Sequence, residues 1–346
     1  MKNIKEIAKK AKVSTGTVDR VIHNRSGVSE KTRKRIQKII DDSNFKINPV
    51  ASSLASKKNV TIASLIPNSK RESDFWTLPQ EGIISALSEI KNFGFQLTEF
   101  QFDQFQPETY KKAFYKLIES NPDAILIAPI FTKETKELVP LLDSKSIPYI
   151  FINVEINGLN NLTFIGQHSK KGGYLAAKML YLLLPAATEI VVVELIKNSS
   201  NYAAIEDRIS GFRTYFKEKE SNIKNNSLQI YSIDEIEKQL SDYLVNNPNI
   251  KGIFVPSSKV SLIASVIENL SKKDIKIVGF DTTPENIKYL KNETIDFLIS
   301  QQPYKQGYNG VKVLFNYLQH QKKPKNSYYS PIEIVTKENV DFIDTI

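Results

Sequence analysis

In the stretch "KVSTGTVDRVIHN", Lys12 to Asn24, three hydroxyls, a guanidinium and an imidazole follow one another within about four helical turns. Ser14, Thr15, Thr17, Arg20 and His23 offer hydrogen bonds suited to phosphate oxygens and the polar edges of bases. The means for catalysis are missing elsewhere. The chain has no Cys and three scattered His (His23, His168, His320), which argues against a transition-metal site. Its carboxylates specify no nucleophile–base pair. "KKGGY" at 170–174 has two glycines but not the spacing of a phosphate-binding loop. The expectation is a binding protein with no catalytic residue, no metal and no cofactor.

The net charge of +9 is spread unevenly over the 346 residues. Residues 1–58 contain 15 Lys+Arg against 5 Asp+Glu, a balance of +10, while the remainder balances at −1. This implies a small module that binds a polyanion, joined to a neutral part. The length suggests two or three domains. A content of 41% hydrophobic and 25% charged residues is the profile of a soluble globular protein. No apolar run approaches the roughly 20 residues of a membrane span, so no membrane partner is expected. The basic start "MKNIKEIAKKAKV" is not followed by the apolar stretch of a secretory signal. With the missing cysteines, this points to a cytoplasmic protein.

The donor-rich stretch needs elements to hold it. Ile4, Ile7, Ala8 and Ala11 recur at helical spacing and predict a helix over 4–11. "KVS" breaks it, and Ser14 is well placed to cap a second helix. There Val18, Val21 and Ile22 form a narrow apolar stripe, with Val13 beside them. Thr15, Gly16, Thr17, Asp19, Arg20 and His23 occupy the other faces. "NRSG" ends that helix. Ser29 caps a third, with Thr32, Ile36, Ile39 and Ile40 inward and Lys31, Arg33, Lys34, Arg35 and Lys38 outward. Two short helices joined by a tight turn, with a third completing the core, make a helix-turn-helix. Asn48 and Pro49 then suit the start of a helix reaching about Ser56, too short to be stable alone in water.

From residue 59 short apolar runs alternate with helical stretches. "VTIASLI" (60–66), "FQLTEFQF" (95–102), "AILIA" (124–128) and "IPYIFIN" (147–153) read as strands. So do "EIVVVEL", "IKGIFVP", "IKIVGFD" and "TIDFLIS" between Glu189 and Ser300. Helices are expected between them, among others at 77–93, 107–120, 132–145, 170–184 and 258–271. Near-continuous Val/Ile runs belong to strands covered on both faces, and the alternation predicts parallel, doubly wound sheets. About 290 residues of this rhythm make two α/β lobes, with ligand at the carboxyl ends of the strands.

The first 58 residues resemble the DNA-binding headpiece of the LacI family of transcriptional regulators. The likeness runs without a gap from Ile4 to about Lys58. It takes in "IA..A.VS..TV.RV", "VS..TR..I" and the "N...A..L" of Asn48, Ala51 and Leu54. The fold class implied is an all-α helix-turn-helix headpiece plus an α/β effector domain of two doubly wound lobes, similar to type I periplasmic binding proteins. The boundaries are 1–47 for the headpiece, 48–58 for a hinge helix and 59–346 for the ligand-binding and dimerisation domain. The resemblance implies DNA contacts from Ser14, Thr15, Gly16, Thr17, Arg20, His23, Ser29, Thr32, Asn48, Ala51 and Leu54. Thr15 and Gly16 fall at principal specificity positions, and Gly16 brings no side chain. Arg20 is therefore the best candidate for a bidentate guanine contact, worth about 1–3 kcal/mol of discrimination. Asp19 would repel phosphate unless it orients Arg20 or accepts from cytosine. Leu54 would wedge between base steps in the minor groove.

The later part resembles the family's effector domain through "PYIFIN", "DRISGF", "KIVGFD" and "ISQQP...G". Matching by motif implies ligand contacts from Phe75, Trp76, Asn153, Arg208, Asp281 and Gln301. The aromatics would stack on a sugar ring, and the others would bond its hydroxyls. Asp281 and Arg208 could instead pair with each other or cap helices, and Trp76 could be core packing. Ala128, Ser257 and Val154 stand where sugar binders place Asn or Arg, which implies a more apolar cleft, or a larger or differently charged ligand. Lobe crossings are expected near 160, 300 and 325, the third within "HQKKPKN".

The function expected is a homodimeric repressor, or a pair of dimers, that reads a pseudopalindromic double-stranded operator under control of a small carbohydrate effector. The alternative is a solute-binding protein without regulatory role. The missing signal segment and the attached headpiece weigh against it.

Overall fold

The apolar spacing at the start of the chain folds as three helices, α1 (Ile4–Ala11), α2 (Thr15–Ile22) and α3 (Glu30–Asp42). They close on a small core of Ile7, Ala8, Ala11, Val18, Val21 and Ile36, flanked by Val13, Ile22, Ile39 and Ile40. These coordinates come from a computed structural model, which describes residues 4–22, 26–43, 59–69, 75–185, 188–196 and 203–343. The positions of His23, Asn48, Ala51 and Leu54, and the hinge segment 48–58, lie outside the described residues. The chain divides into two units, Met1–Lys58 and Asn59–Ile346.

In the second unit the strands are β1 (Val60–Pro67), β2 (Phe95–Phe102), β3 (Ala124–Ile127), β4 (Tyr149–Ile152), β5 (Phe164–Gly166) and β6 (Glu189–Leu195). They continue as β7 (Lys224–Ile230), β8 (Ile250–Val255), β9 (Lys276–Phe280), β10 (Phe297–Ser300), β11 (Ser327–Tyr329) and β12 (Glu333–Val335). The helices between them are α4 (Thr77–Ile90), α5 (Pro107–Glu119), α6 (Thr132–Leu138), α7 (Pro140–Ser144), α8 (Ser169–Leu183) and α9 (Ala203–Glu218). Last come α10 (Ile236–Asn246), α11 (Val260–Asn269), α12 (Pro284–Lys291) and α13 (Pro303–His320). The expected helix over 132–145 is two helices, because Pro140 lacks the N–H that would continue the first.

The strands form two six-stranded sheets ordered β11-β5-β4-β3-β1-β2 and β12-β10-β9-β8-β6-β7, so the same winding occurs twice. Among the described strands, only β12 runs antiparallel to its neighbour. β3 and β4 are buried along their whole length, as expected of strands covered on both faces. β7 is an edge strand with mostly polar residues and escapes the sequence reading.

Among the described residues the chain passes between lobes three times. The first passage follows β5 at Gln167–His168, and the second follows β10 at Gln301–Gln302. The third corrects the expectation. β11 still pairs with β5, Ser327 beside Phe164 and Tyr329 beside Gly166, so the passage falls at 330–332 and not in "HQKKPKN". That polar stretch is the turn returning the chain from α13 to the first sheet.

The glycines of "KKGGY" have a packing role. A Cβ on Gly173 would stand 1.8 Å from the carbonyl oxygen of Arg208, and one on Gly211 would stand 1.8 Å from that of Lys170. These residues let α8 and α9 approach backbone to backbone. Gly82 and Gly307 do the same for α4 and α13, with gaps of 2.0 Å to the carbonyls of Tyr304 and Pro79.

Candidate functional site

The headpiece presents its polar groups at the start of α2 and α3. Ser14 Oγ accepts from the Thr17 backbone N–H at 3.1 Å and lies 2.9 Å from Thr17 Oγ1. Ser29 repeats the arrangement with Thr32, accepting from its N–H at 3.4 Å and donating to its Oγ1 at 2.9 Å. Both serines thus cap helices, and the positive end of each helix dipole lies beside an exposed hydroxyl pair. Thr15, Gly16 and Arg20 are exposed, whereas Thr17 and Asp19 are half-buried. The Arg20 guanidinium lies over the turn at Gly27, its Nη1 3.6 Å from where a Cβ would stand.

Among the described residues a Cβ on Gly16 would meet only Ser14 Oγ, at 3.8 Å, and none of them requires glycine there. Gly16→Ala should stabilise the headpiece by about 0.5–1 kcal/mol, the ordinary helix preference. Slower amide exchange across α1–α3 in the intact protein would register it; faster exchange would contradict it.

In the second unit all six residues matched by motif line one cavity of about 460 Å³. The fold explains the convergence, because both sheets point their strand carboxyl ends toward it. Asn153 follows β4 and Asp281 follows β9, the same place in the two lobes. Both adopt left-handed backbone, φ 68° and 70°, which Asn and Asp tolerate better than most residues. Each donates its N–H across to the neighbouring strand, Asn153 to Ile165 and Asp281 to Ile299.

Asp281 is 4% exposed and accepts from Gln301 Nε2 at 2.7 Å. Burial pushes its carboxyl up to about 6, opposed by the Arg208 charge and by the bond from Gln301. Arg208, also 4% exposed, donates from Nη1 to the Pro256 carbonyl at 2.8 Å and stacks 3.9 Å above the Phe280 ring. Phe75 is half-buried and meets Trp76 edge to face at 5.0 Å. Trp76 is 2% exposed and belongs to the first lobe's core, so it supports the cavity wall more than it offers a free face.

Sequence reasoning missed the cavity residues Phe105, Glu194, Glu206, Pro256 and Lys259. It also missed the groups that hold the site from behind. Fully buried Asn286 donates through Nδ2 to the carbonyls of Ser258, Phe280 and Asp281 at 2.9–3.1 Å, and accepts from Ser261 N at 2.8 Å. It therefore ties the ends of β8 and β9 together. Gln167 donates to Ser300 O and Gln306 to Gln301 O, both at 2.9 Å, fixing the second lobe passage beside Gln301. A buried amide inside "TPENI" is the only local signal for Asn286; its partners lie 5–28 residues away.

Comparison with known proteins agrees with both halves. Residues 3–48 match the model for bacterial regulatory proteins of the lacI family, and residues 62–322 match that for a periplasmic binding protein domain. The ribose operon repressor of Lactococcus lactis is 30% identical over 346 residues, covering 98% of both chains. That of Halalkalibacterium halodurans is 26% identical over 348 residues, covering 98% of this chain and 97% of its own. A crystal structure from Bacteroides fragilis, assigned to the LacI transcriptional regulators, is 32% identical. It superposes with a TM-score of 0.78 over 82% of this chain and 99% of that one. A helix-turn-helix unit, two sheets wound alike around one cavity, and full-length likeness to repressors converge: the chain belongs to the LacI family, DNA-binding, sugar-responsive regulators of transcription.

Proposed function

We propose that the protein is a cytoplasmic, homodimeric repressor whose α2 reads a two-fold symmetric operator and whose inter-lobe cavity binds a carbohydrate effector. The observation that carries the effector reading is the convergence of Phe75, Asn153, Arg208, Asp281 and Gln301 on one cavity. A carboxylate, a guanidinium and two amides aimed at one space supply donors and acceptors for several hydroxyls, and an aromatic face suits a ring's C–H side. Two full-length relatives are named as ribose operon repressors, which supports a sugar as the signal. Binding would favour one arrangement of the lobes about their three passages, and the difference in affinity between arrangements would set how far operator binding shifts. Residues 1–47 serve here as the DNA-binding domain, 48–58 as the hinge, and 59–346 as the ligand-binding and dimerisation domain.

Arg20 is the test of base reading. Operators would be selected from random duplexes with the intact protein, and binding measured by fluorescence anisotropy. Arg20→Ala should weaken the selected site by about 1–3 kcal/mol while changing random-duplex binding much less. Equal losses on both duplexes would reduce Arg20 to a phosphate contact. Failure to enrich any symmetric site would count against the repressor reading itself.

A further inference from the structure

We propose that the effector is an uncharged saccharide of at least two rings, its second ring held against Tyr231 by Gln229, Glu194 and Glu206. The proposal rests on reading the cavity as a sugar site and extends it. The cavity does not end at the group formed by Asp281, Arg208 and Gln301. A second hollow of about 500 Å³, more open, shares Glu194, Glu206 and Gln229 with it and runs along α9 past Ser210, Arg213 and Thr214. The first volume alone lies within the range of roughly 300–1,000 Å³ usual for pockets that take drug-sized ligands. One ring bonded at Asp281 and Gln301 would leave the far end to water.

Aromatic faces stand on both sides of the first cavity. Phe75 and Phe105 are half-buried on the first lobe. Tyr231, just after β7, lines the cavity from the second lobe while remaining 65% exposed. Its hydroxyl donates to Gln229 Oε1 at 3.0 Å, which steadies the ring at the rim. Such a held ring presents a flat apolar face, the surface on which a sugar's C–H side packs.

The charges favour neutral hydroxyl groups. In the outer hollow Glu194 and Glu206 face Arg213 and Lys217, so neither sign is in excess. Arg213 already donates to Ser227 Oγ at 2.8 Å. A phosphate placed there would find no net positive charge to hold it, whereas hydroxyls can donate to the two carboxylates and to the Gln229 carbonyl. Desolvation raises the Glu194 carboxyl above its usual range, and Arg213 opposes this, so a second anion there would be costly.

Calorimetric titration of the full-length protein with ribose, glucose, galactose and fructose, and with maltose, cellobiose, lactose and sucrose, separates the alternatives. The expected result is a disaccharide that binds at least about tenfold more tightly than either component monosaccharide. Tyr231→Ala and Glu206→Gln, both at exposed positions, should each cut disaccharide affinity by about tenfold more than monosaccharide affinity. A monosaccharide that binds as tightly as any disaccharide containing it overturns the second subsite and leaves the sugar reading standing. Tighter binding of glucose 6-phosphate or ribose 5-phosphate overturns the uncharged class. Absence of binding by every sugar overturns the subsite and the sugar reading together.

Discussion

Asp281→Asn is expected to stabilise the ligand-free protein at pH 7.5 by about 2–3 kcal/mol and to abolish its response to effector. Burial holds the Asp281 carboxyl near 6. In an unfolded chain an aspartate titrates at about 3.9. Between those values the folded protein binds the proton and the unfolded chain does not. Stability therefore falls as pH rises from about 4 to about 6, and the penalty stays constant above that. The amide of the Asp281→Asn variant would carry no charge, while its carbonyl oxygen could still accept from Gln301, now 2.7 Å from the carboxylate. Urea unfolding should show the variant's advantage at pH 7.5 shrinking toward zero near pH 4. A variant less stable than the parent at pH 7.5 would contradict this account of Asp281.

The same titration governs the ligand. Hydroxyls that donate to Asp281 need the carboxylate, so effector affinity in the parent protein should weaken by about tenfold per pH unit below 6. In the Asp281→Asn protein that slope disappears with the binding. The cost of burying the Asp281 carboxylate is thus tied to its use as an acceptor for sugar hydroxyls.

How much of this can be read in the chain differs from element to element. β1, β3, β4 and β9 are legible because strands buried on both faces leave continuous Val/Ile runs. β7 is not, because "KNNSLQI" lies at a sheet edge and buries only Ile230 fully. β5, β11 and β12 have three residues each, too few to show a period. The third lobe passage is misplaced for that reason, since β11 is what keeps the chain in the first sheet until Tyr329. Asp281 and Arg208 are reached through "GFD" and "DRISGF", motifs carried by resemblance. Asn286 is invisible, since its importance comes from three carbonyls gathered from two strand ends. Trp76 stands out as the only tryptophan, and its rarity says nothing of its burial.

Gly173→Ala should have the opposite sign to Gly16→Ala and a larger size, a loss of about 3 kcal/mol. At Gly16 the added methyl meets open space, whereas at Gly173 it would stand 1.8 Å from the Arg208 carbonyl oxygen and 2.5 Å from its carbon. These are backbone atoms on the packed face of a helix, so no rotamer change relieves the overlap and α8 and α9 must part. The atom struck belongs to Arg208, whose guanidinium is held between the Pro256 carbonyl and the Phe280 ring. Moving α9 outward draws that guanidinium from the cavity, so effector affinity should fall along with stability. Gly172 supplies the contrast, because its methyl would meet Gln167 Oε1 at 2.9 Å and the edge of Phe280 at 3.3 Å. Those are side-chain atoms that can shift, so Gly172→Ala should cost well under half as much. Urea unfolding followed by circular dichroism measures the first effect, and the thermal shift produced by effector measures the second. Equal costs at the two positions would mean that the helices are not packed backbone to backbone. In that case the proposed coupling between the α8–α9 contact and the effector cavity would fall with it.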